Sequence, residues 1–162
     1  NDAPVVTLPG AQVVAVNSSL TLSGANAIQI SDVDAASNTV QVTIGVTQGT
    51  ITLSSTVGLS FSNGDGISDA NLSFTGTIAS INAALDGLVY SPINGYTGNA
   101  SISVAVNDLG NMGTGGPLSD TEVLNVQVGG VNFQEGVNGY AGTQDTFLRQ
   151  YSVNSSYGSN TE

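Results

Sequence analysis

Hydrophobic and polar positions alternate with period two over much of the chain. Val40, Val42, Ile44 and Val46 are separated by Gln41, Thr43 and Gly45, and Ile102, Val104 and Val106 by Ser103 and Ala105. Successive side chains in a strand point to opposite faces, so each run predicts a strand buried on one side. Leu124, Val126 and Val128 repeat the pattern and are the expected partner of the 102–106 strand, across a Gly-rich connection from Leu109 to Leu118. After Val46, Gln48-Gly49 reads as a turn and Ile51 and Leu53 resume the alternation, which predicts a β-hairpin. Shorter strand candidates are Val5 to Leu8, Val13 to Val16, Leu20 to Leu22, Ala27 to Ile30, Leu59 to Phe61, Leu72 to Thr75 and Leu88 to Tyr90. Many short one-sided strands at this spacing predict a two-layer, all-β sandwich.

One stretch departs from period two. Within Thr77 to Gly87, Ile78, Ile81 and Leu85 recur at helical spacing, Ala79, Ala83 and Ala84 favour a helix, and Gly87 supplies a stop. A short helix closing one edge or end of the sandwich is expected there, with core packing as its ordinary role. A second shift falls at Gly129-Gly130. The preceding chain is poor in aromatics, whereas Phe133, Tyr140, Phe147, Tyr151 and Tyr157 crowd the last stretch. The expected organisation is a β-sandwich over 1–128, a linker at 129–130, and a C-terminal β extension over 131–162. That last stretch is too short for a stable β domain of its own. It reads as a truncated next domain, an extension folded back, or a strand lent to a neighbouring molecule.

Composition narrows the chemistry. The 162 residues include 12 Asp+Glu against one Lys+Arg, Arg149, with no His and no Cys, for a formal net charge of -11. Nucleic acid needs a basic footprint and anionic membranes need cations, so both are excluded as expected partners. No imidazole base, thiolate or zinc site of the N/S kind can be built. An enzyme is not expected. A mean hydropathy of +0.16 with 8% charged residues separates the chain from disordered acidic tails. No apolar run approaches a membrane span, and no signal peptide is visible. A Lys-free, Cys-free acidic chain is expected outside the cell, on a bacterial surface or secreted, and its start at Asn1-Asp2-Ala3-Pro4 reads as a mature or excised piece. Carboxylates, hydroxyls and amides remain. These are ligands for hard cations, Ca²⁺ first.

Three acidic clusters qualify. Asp32-Val33-Asp34 follows the strand ending at Ile30, and Asp108 follows the strand ending at Val106; Asn1-Asp2 opens the chain. In an extended segment Asp32 and Asp34 present two carboxylates to one point, and their mutual repulsion favours a cation; the same residues are also common in Asx turns. Asn63-Gly64-Asp65-Gly66 with Asp69 has the look of a calcium loop, but no bidentate Glu closes it, and Asn-Gly and Asp-Gly favour a turn. Asp120 and Glu122 read as a solvated edge that discourages aggregation.

Taken in order, Asn1-Asp2-Ala3-Pro4, Ile30-Ser31-Asp32-Val33-Asp34-Ala35 and Ile102-Ser103-Val104-Ala105-Val106-Asn107-Asp108 resemble a cadherin domain. The closer resemblance is to the bacterial cadherin-like repeats of large extracellular adhesins, which share stretches like 76–92, from Gly76-Thr77-Ile78 to Tyr90-Ser91-Pro92, and Gly115-Gly116-Pro117-Leu118-Ser119-Asp120-Thr121. The resemblance spans 1 to about 128. It implies a Greek-key, immunoglobulin-like sandwich whose junctions bind Ca²⁺. Carried over, Asn1, Asp2 and the Ala3 carbonyl belong to the linker, Asp32 and Asp34 form the D-x-D pair, Asn38 offers a backbone oxygen, and Asp108 closes the shell. Asp32 would lean toward an ion shared with a preceding domain, leaving one ion for Asp34, Asp108 and the linker.

Residues 133–150, with Asn154 and Tyr157-Gly158-Ser159, resemble the opening of DNRLRE-type carbohydrate-binding modules. Read from their chemistry, Tyr140, Tyr151 and Tyr157 can stack on sugars and Arg149 can clamp a uronate, while the ordinary role of strand aromatics is core packing. The leading expectation is a non-catalytic, calcium-stiffened structural or adhesive repeat whose partners are neighbouring repeats or identical subunits. A polysaccharide-binding module is the first alternative, and a fibre subunit that pairs by strand addition is the second.

Overall fold

Residues 1–35, 37–110 and 115–129 are described by the computed structural model. They belong to the unit Asn1–Gly130; the unit Val131–Glu162 lies outside the described residues. The strands are β1 (Val5–Thr7), β2 (Gln12–Val14), β3 (Leu20–Leu22), β4 (Gln29–Ser31), β5 (Thr39–Val46), β6 (Gly49–Thr52), β7 (Ser60–Asn63), β8 (Asn71–Thr77), β9 (Leu88–Pro92), β10 (Gly98–Asn107) and β11 (Ser119–Val128), with one α-helix, α1 (Ile78–Leu85), between β8 and β9. The fold is all-β with one short helix.

Period-two patterning explains the layers. A six-stranded sheet runs β2-β11-β10-β5-β8-β7, a three-stranded sheet runs β3-β9-β6, and β1 pairs with β4. Ala100, Ile102, Val104 and Val106 of β10 are buried while Ser101, Ser103 and Ala105 between them are half-exposed, and Val40, Val42 and Ile44 of β5 repeat this. Leu22, Ile51, Leu88 and Tyr90 from the smaller sheet join them in one buried cluster, which makes the arrangement a sandwich. The expected pairing of the 102–106 and 124–128 strands is present, with Ile102 opposite Leu124.

The expected β5–β6 hairpin is not. β5 pairs on one side with β10 and on the other with β8, so it has no free edge for β6, which pairs with β9 in the opposite sheet. Thr47 and Gln48 carry the chain across the core instead. Gln48 takes a left-handed φ of 55°, and the Tyr90 hydroxyl lies 2.9 Å from the Thr47 carbonyl and 3.1 Å from that of Gln48. A Cβ on Gly49 would sit 2.5 Å from the Ser91 carbonyl and 2.7 Å from the Tyr90 ring, so glycine is required by close approach. A hairpin and an arch give the same alternation. What separates them is whether the two apolar sets share a face or oppose each other, and here Ile44 and Ile51 oppose.

Helix α1 forms as the spacing predicts. Thr77 caps it by accepting the Ser80 N–H at 3.2 Å, Ile81, Ala84 and Leu85 are buried, and Gly87 leaves with φ 96°. No helix among the described residues is long and apolar enough to cross a membrane.

Candidate metal centre

The start of the chain lies against two loops that the sheets deliver to it. β4 ends at Ser31 and hands the chain to Asp32-Val33-Asp34; β10 ends at Asn107 and is followed by Asp108. Asn1 Nδ2 donates to Asp108 Oδ2 at 2.7 Å and to the Gly116 carbonyl at 3.1 Å. Both partners are acceptors, which fixes the amide orientation and leaves Oδ1 on the other side. The Asp2 N–H donates to Asp34 Oδ2 at 2.9 Å, and the amino group of Asn1 lies 3.8 Å from the same oxygen. Asn1, Asp2, Asp32, Asp34 and Asp108 are therefore joined in one network across more than a hundred residues of sequence.

Each carboxylate is held differently. Asp108 is 2% exposed, and its Oδ1 accepts the N–H groups of Gly110 at 2.8 Å and Leu118 at 2.7 Å. The Gly110 bond is the largest influence holding its pKa below the usual carboxylate range; the Leu118 and Asn1 bonds act in the same direction, against the opposing effect of burial. Leu109 adopts a left-handed φ of 60° between Asp108 and Gly110, a conformation that costs a bulky residue about 1–2 kcal/mol and that the two amide bonds help offset. Asp32 Oδ1 accepts from Asp34 N–H at 3.1 Å and Ala35 N–H at 3.2 Å, as in an Asx turn. Burial first, then the neighbouring Asp34 carboxyl, push the Asp32 pKa up. The Asp2 N–H first, then the neighbouring Asp32 carboxyl, hold the Asp34 pKa down. Two neighbouring carboxylates repel, and a proton or a cation beside them relieves that repulsion.

Among the described residues, two buried side-chain polar atoms have no hydrogen-bond partner, and both are here: Asn1 Oδ1 and Asp32 Oδ2. The Asn1 side chain is only 3% exposed. Buried oxygens without partners carry an unmet desolvation cost, and a hard cation removes it. These residues fit Ca²⁺ by donor type. No group of three or more carboxylates among the described residues is arranged to hold a metal by itself, so an ion here would need amide and main-chain oxygens as well.

The remaining expected ligands are less involved. The Ala3 side chain is exposed, and Asn38 enters through its main chain, donating to the Ala35 carbonyl at 2.8 Å. No hydrogen bond among the described residues ties either to Asn1 or Asp108. Tyr140, Arg149, Tyr151 and Tyr157 lie outside the described residues. Sequence reasoning missed Gly110, Gly116 and Leu118, whose main-chain groups bind Asp108 and Asn1; the Gly-rich connection after Asp108 was the available signal. It also misread Asp120. Rather than a solvated edge charge, Asp120 is half-buried and its Oδ2 accepts the Val6 N–H at 2.8 Å, tying β1 to β11.

No family model and no curated protein matches the chain. Among solved structures, a Streptococcus agalactiae AgI/II polypeptide BspA C-terminal domain is similar at 16% identity and a TM-score of 0.35, over 78% of this chain and 49% of that one. The chain thus spans about half the length of the structure it matches.

Proposed function

We propose that this domain is a non-catalytic, extracellular structural or adhesive repeat of a large bacterial protein, and that Ca²⁺ bound beside Asn1, Asp32, Asp34 and Asp108 stiffens its N-terminal pole. The observation that carries the reading is the pair of partnerless buried oxygens, Asn1 Oδ1 and Asp32 Oδ2, within the network that ties Asn1 and Asp2 to Asp34 and Asp108. An ion there relieves the carboxylate repulsion and reinforces the bonds that tie Asn1-Asp2 to both loops. The surrounding chemistry agrees with that role: the -11 charge supplies hard oxygen ligands, and the absence of His and Cys leaves little catalytic machinery. Calorimetric titration with Ca²⁺, with melting in Ca²⁺ and in chelator, tests it. Heat of binding and a raised Tm are expected, both lost in Asp34→Ala; no heat and no Tm difference in the wild-type domain would overturn it.

A further inference from the structure

The mid-helix residue Asn82 makes two bonds that a helix does not need. Its Oδ1 accepts the Ile30 N–H at 2.8 Å and its Nδ2 donates to the Ile30 carbonyl at 2.8 Å. One primary amide thus imitates a neighbouring strand on the side of β4 that faces away from β1. Ile30 is 2% exposed, so its main-chain groups depend on this side chain. The end of the same helix makes two further attachments: Asp86 Oδ1 accepts the Gly24 N–H at 2.9 Å, and the Gly87 N–H donates to the Leu22 carbonyl at 2.8 Å. Three contacts therefore fasten the segment from Leu22 to Ile30, and the last lies two residues before Asp32.

We propose that Asn82 is a positioning residue for the Asp32–Asp34 loop, setting the end of β4 so that Asp32 Oδ1 meets the Asp34 and Ala35 amides and Asp34 Oδ2 meets the Asp2 N–H. Helix α1 acts as a clamp on the metal loop in addition to filling the core. The metal half of this inference rests on the calcium reading, whereas the positioning half does not. Asn82→Leu keeps bulk and removes both bonds; Asn82→Ser removes them with little crowding and serves if the leucine variant does not fold. Ile51→Ala, a core truncation in a different sheet from β4, is the control for lost stability. Solvent-exchange NMR on the metal-free domain reads the Asp34 and Ala35 amides, which donate to Asp32 Oδ1. In the Asn82 variant their exchange should accelerate at least tenfold relative to Ile51→Ala, and the Kd for Ca²⁺ should rise by at least tenfold while that of Ile51→Ala stays near wild type. Unchanged exchange at Asp34 and Ala35, or a wild-type Kd in the Asn82 variant, overturns the proposal. Accelerated exchange in a domain whose wild type binds no Ca²⁺ supports the clamp and refutes the calcium reading instead.

Discussion

Two acidic loops in this domain share a composition and differ in what they leave unmet. In the loop between β7 and β8, Asp69 Oδ2 accepts main-chain N–H groups from Asp65 at 3.1 Å, Gly66 at 2.8 Å and Ile67 at 3.2 Å, and Asp65 Oδ1 accepts the Ile67 N–H at 3.0 Å. That loop satisfies its carboxylates internally and forms a turn. At the N-terminal pole, Asp32 and Asp34 lie two residues apart in one loop, and Asn1 Oδ1 and Asp32 Oδ2 have no hydrogen-bond partner. Acidic content alone does not identify a cation site. The distinguishing quantity is oxygen valence left over after the main chain has been served.

Calcium should separate the two loops most strongly. At a hundredfold excess over Kd, binding to the folded state alone stabilises by about 2.7 kcal/mol. The wild-type melting curve should move up accordingly, and Asp34→Ala should not move at all. Chelator should return the wild-type curve to its starting point.

Next in size is Asp69→Ala. Removing the acceptor for three amides should lower metal-free stability by about 1–3 kcal/mol, read by urea unfolding. The Ca²⁺-induced gain should persist in this variant. A gain that vanishes in Asp69→Ala and persists in Asp34→Ala would reverse the assignment of the two loops.

The smallest expected effect is on pH. The Asp34 and Asp108 pKa values lie below their unfolded values, so their contribution to stability is full above the ordinary carboxylate range and falls away as pH drops through the folded values. Asp32 is raised, and its sign is opposite: relative to the unfolded chain it favours folding at low pH and loses that advantage as pH rises through its folded value. On acidification the metal-free domain should therefore gain stability where Asp32 takes up its proton, then lose it where Asp34 and Asp108 do. Ca²⁺ affinity should begin to fall at the earlier step, because the proton and the ion compete for the same pair. Urea unfolding and calorimetry between pH 3 and 7 check both statements.

The parts of this account that were legible in the sequence are those governed by local periodicity. Alternation in β10 and β11 predicts both strands and their pairing, and Ile78, Ile81 and Leu85 predict the helix. Features decided by distant groups were not legible. β5 and β6 read as a hairpin because alternation does not say which sheet a strand joins, and the Tyr90 hydroxyl that steadies the arch lies more than forty residues away. Asp120 read as a surface charge because its partner, the Val6 N–H, is 114 positions distant. Nothing in the helical spacing of 77–87 marks Asn82, whose partner Ile30 is 52 positions away. At the pole, Asp32, Asp34 and Asp108 stood out by residue type and position after strands, but the bond from Asn1 to Asp108 and the partnerless oxygens arise only when the two loops meet.

The most direct test is a crystal of the domain grown with Ca²⁺ and measured at a wavelength where calcium scatters anomalously. The account predicts an anomalous peak at the N-terminal pole with Asn1 Oδ1 and Asp32 Oδ2 about 2.3–2.6 Å from it. A peak at the Asp65–Asp69 loop instead, or none at the pole at saturating Ca²⁺, would contradict it.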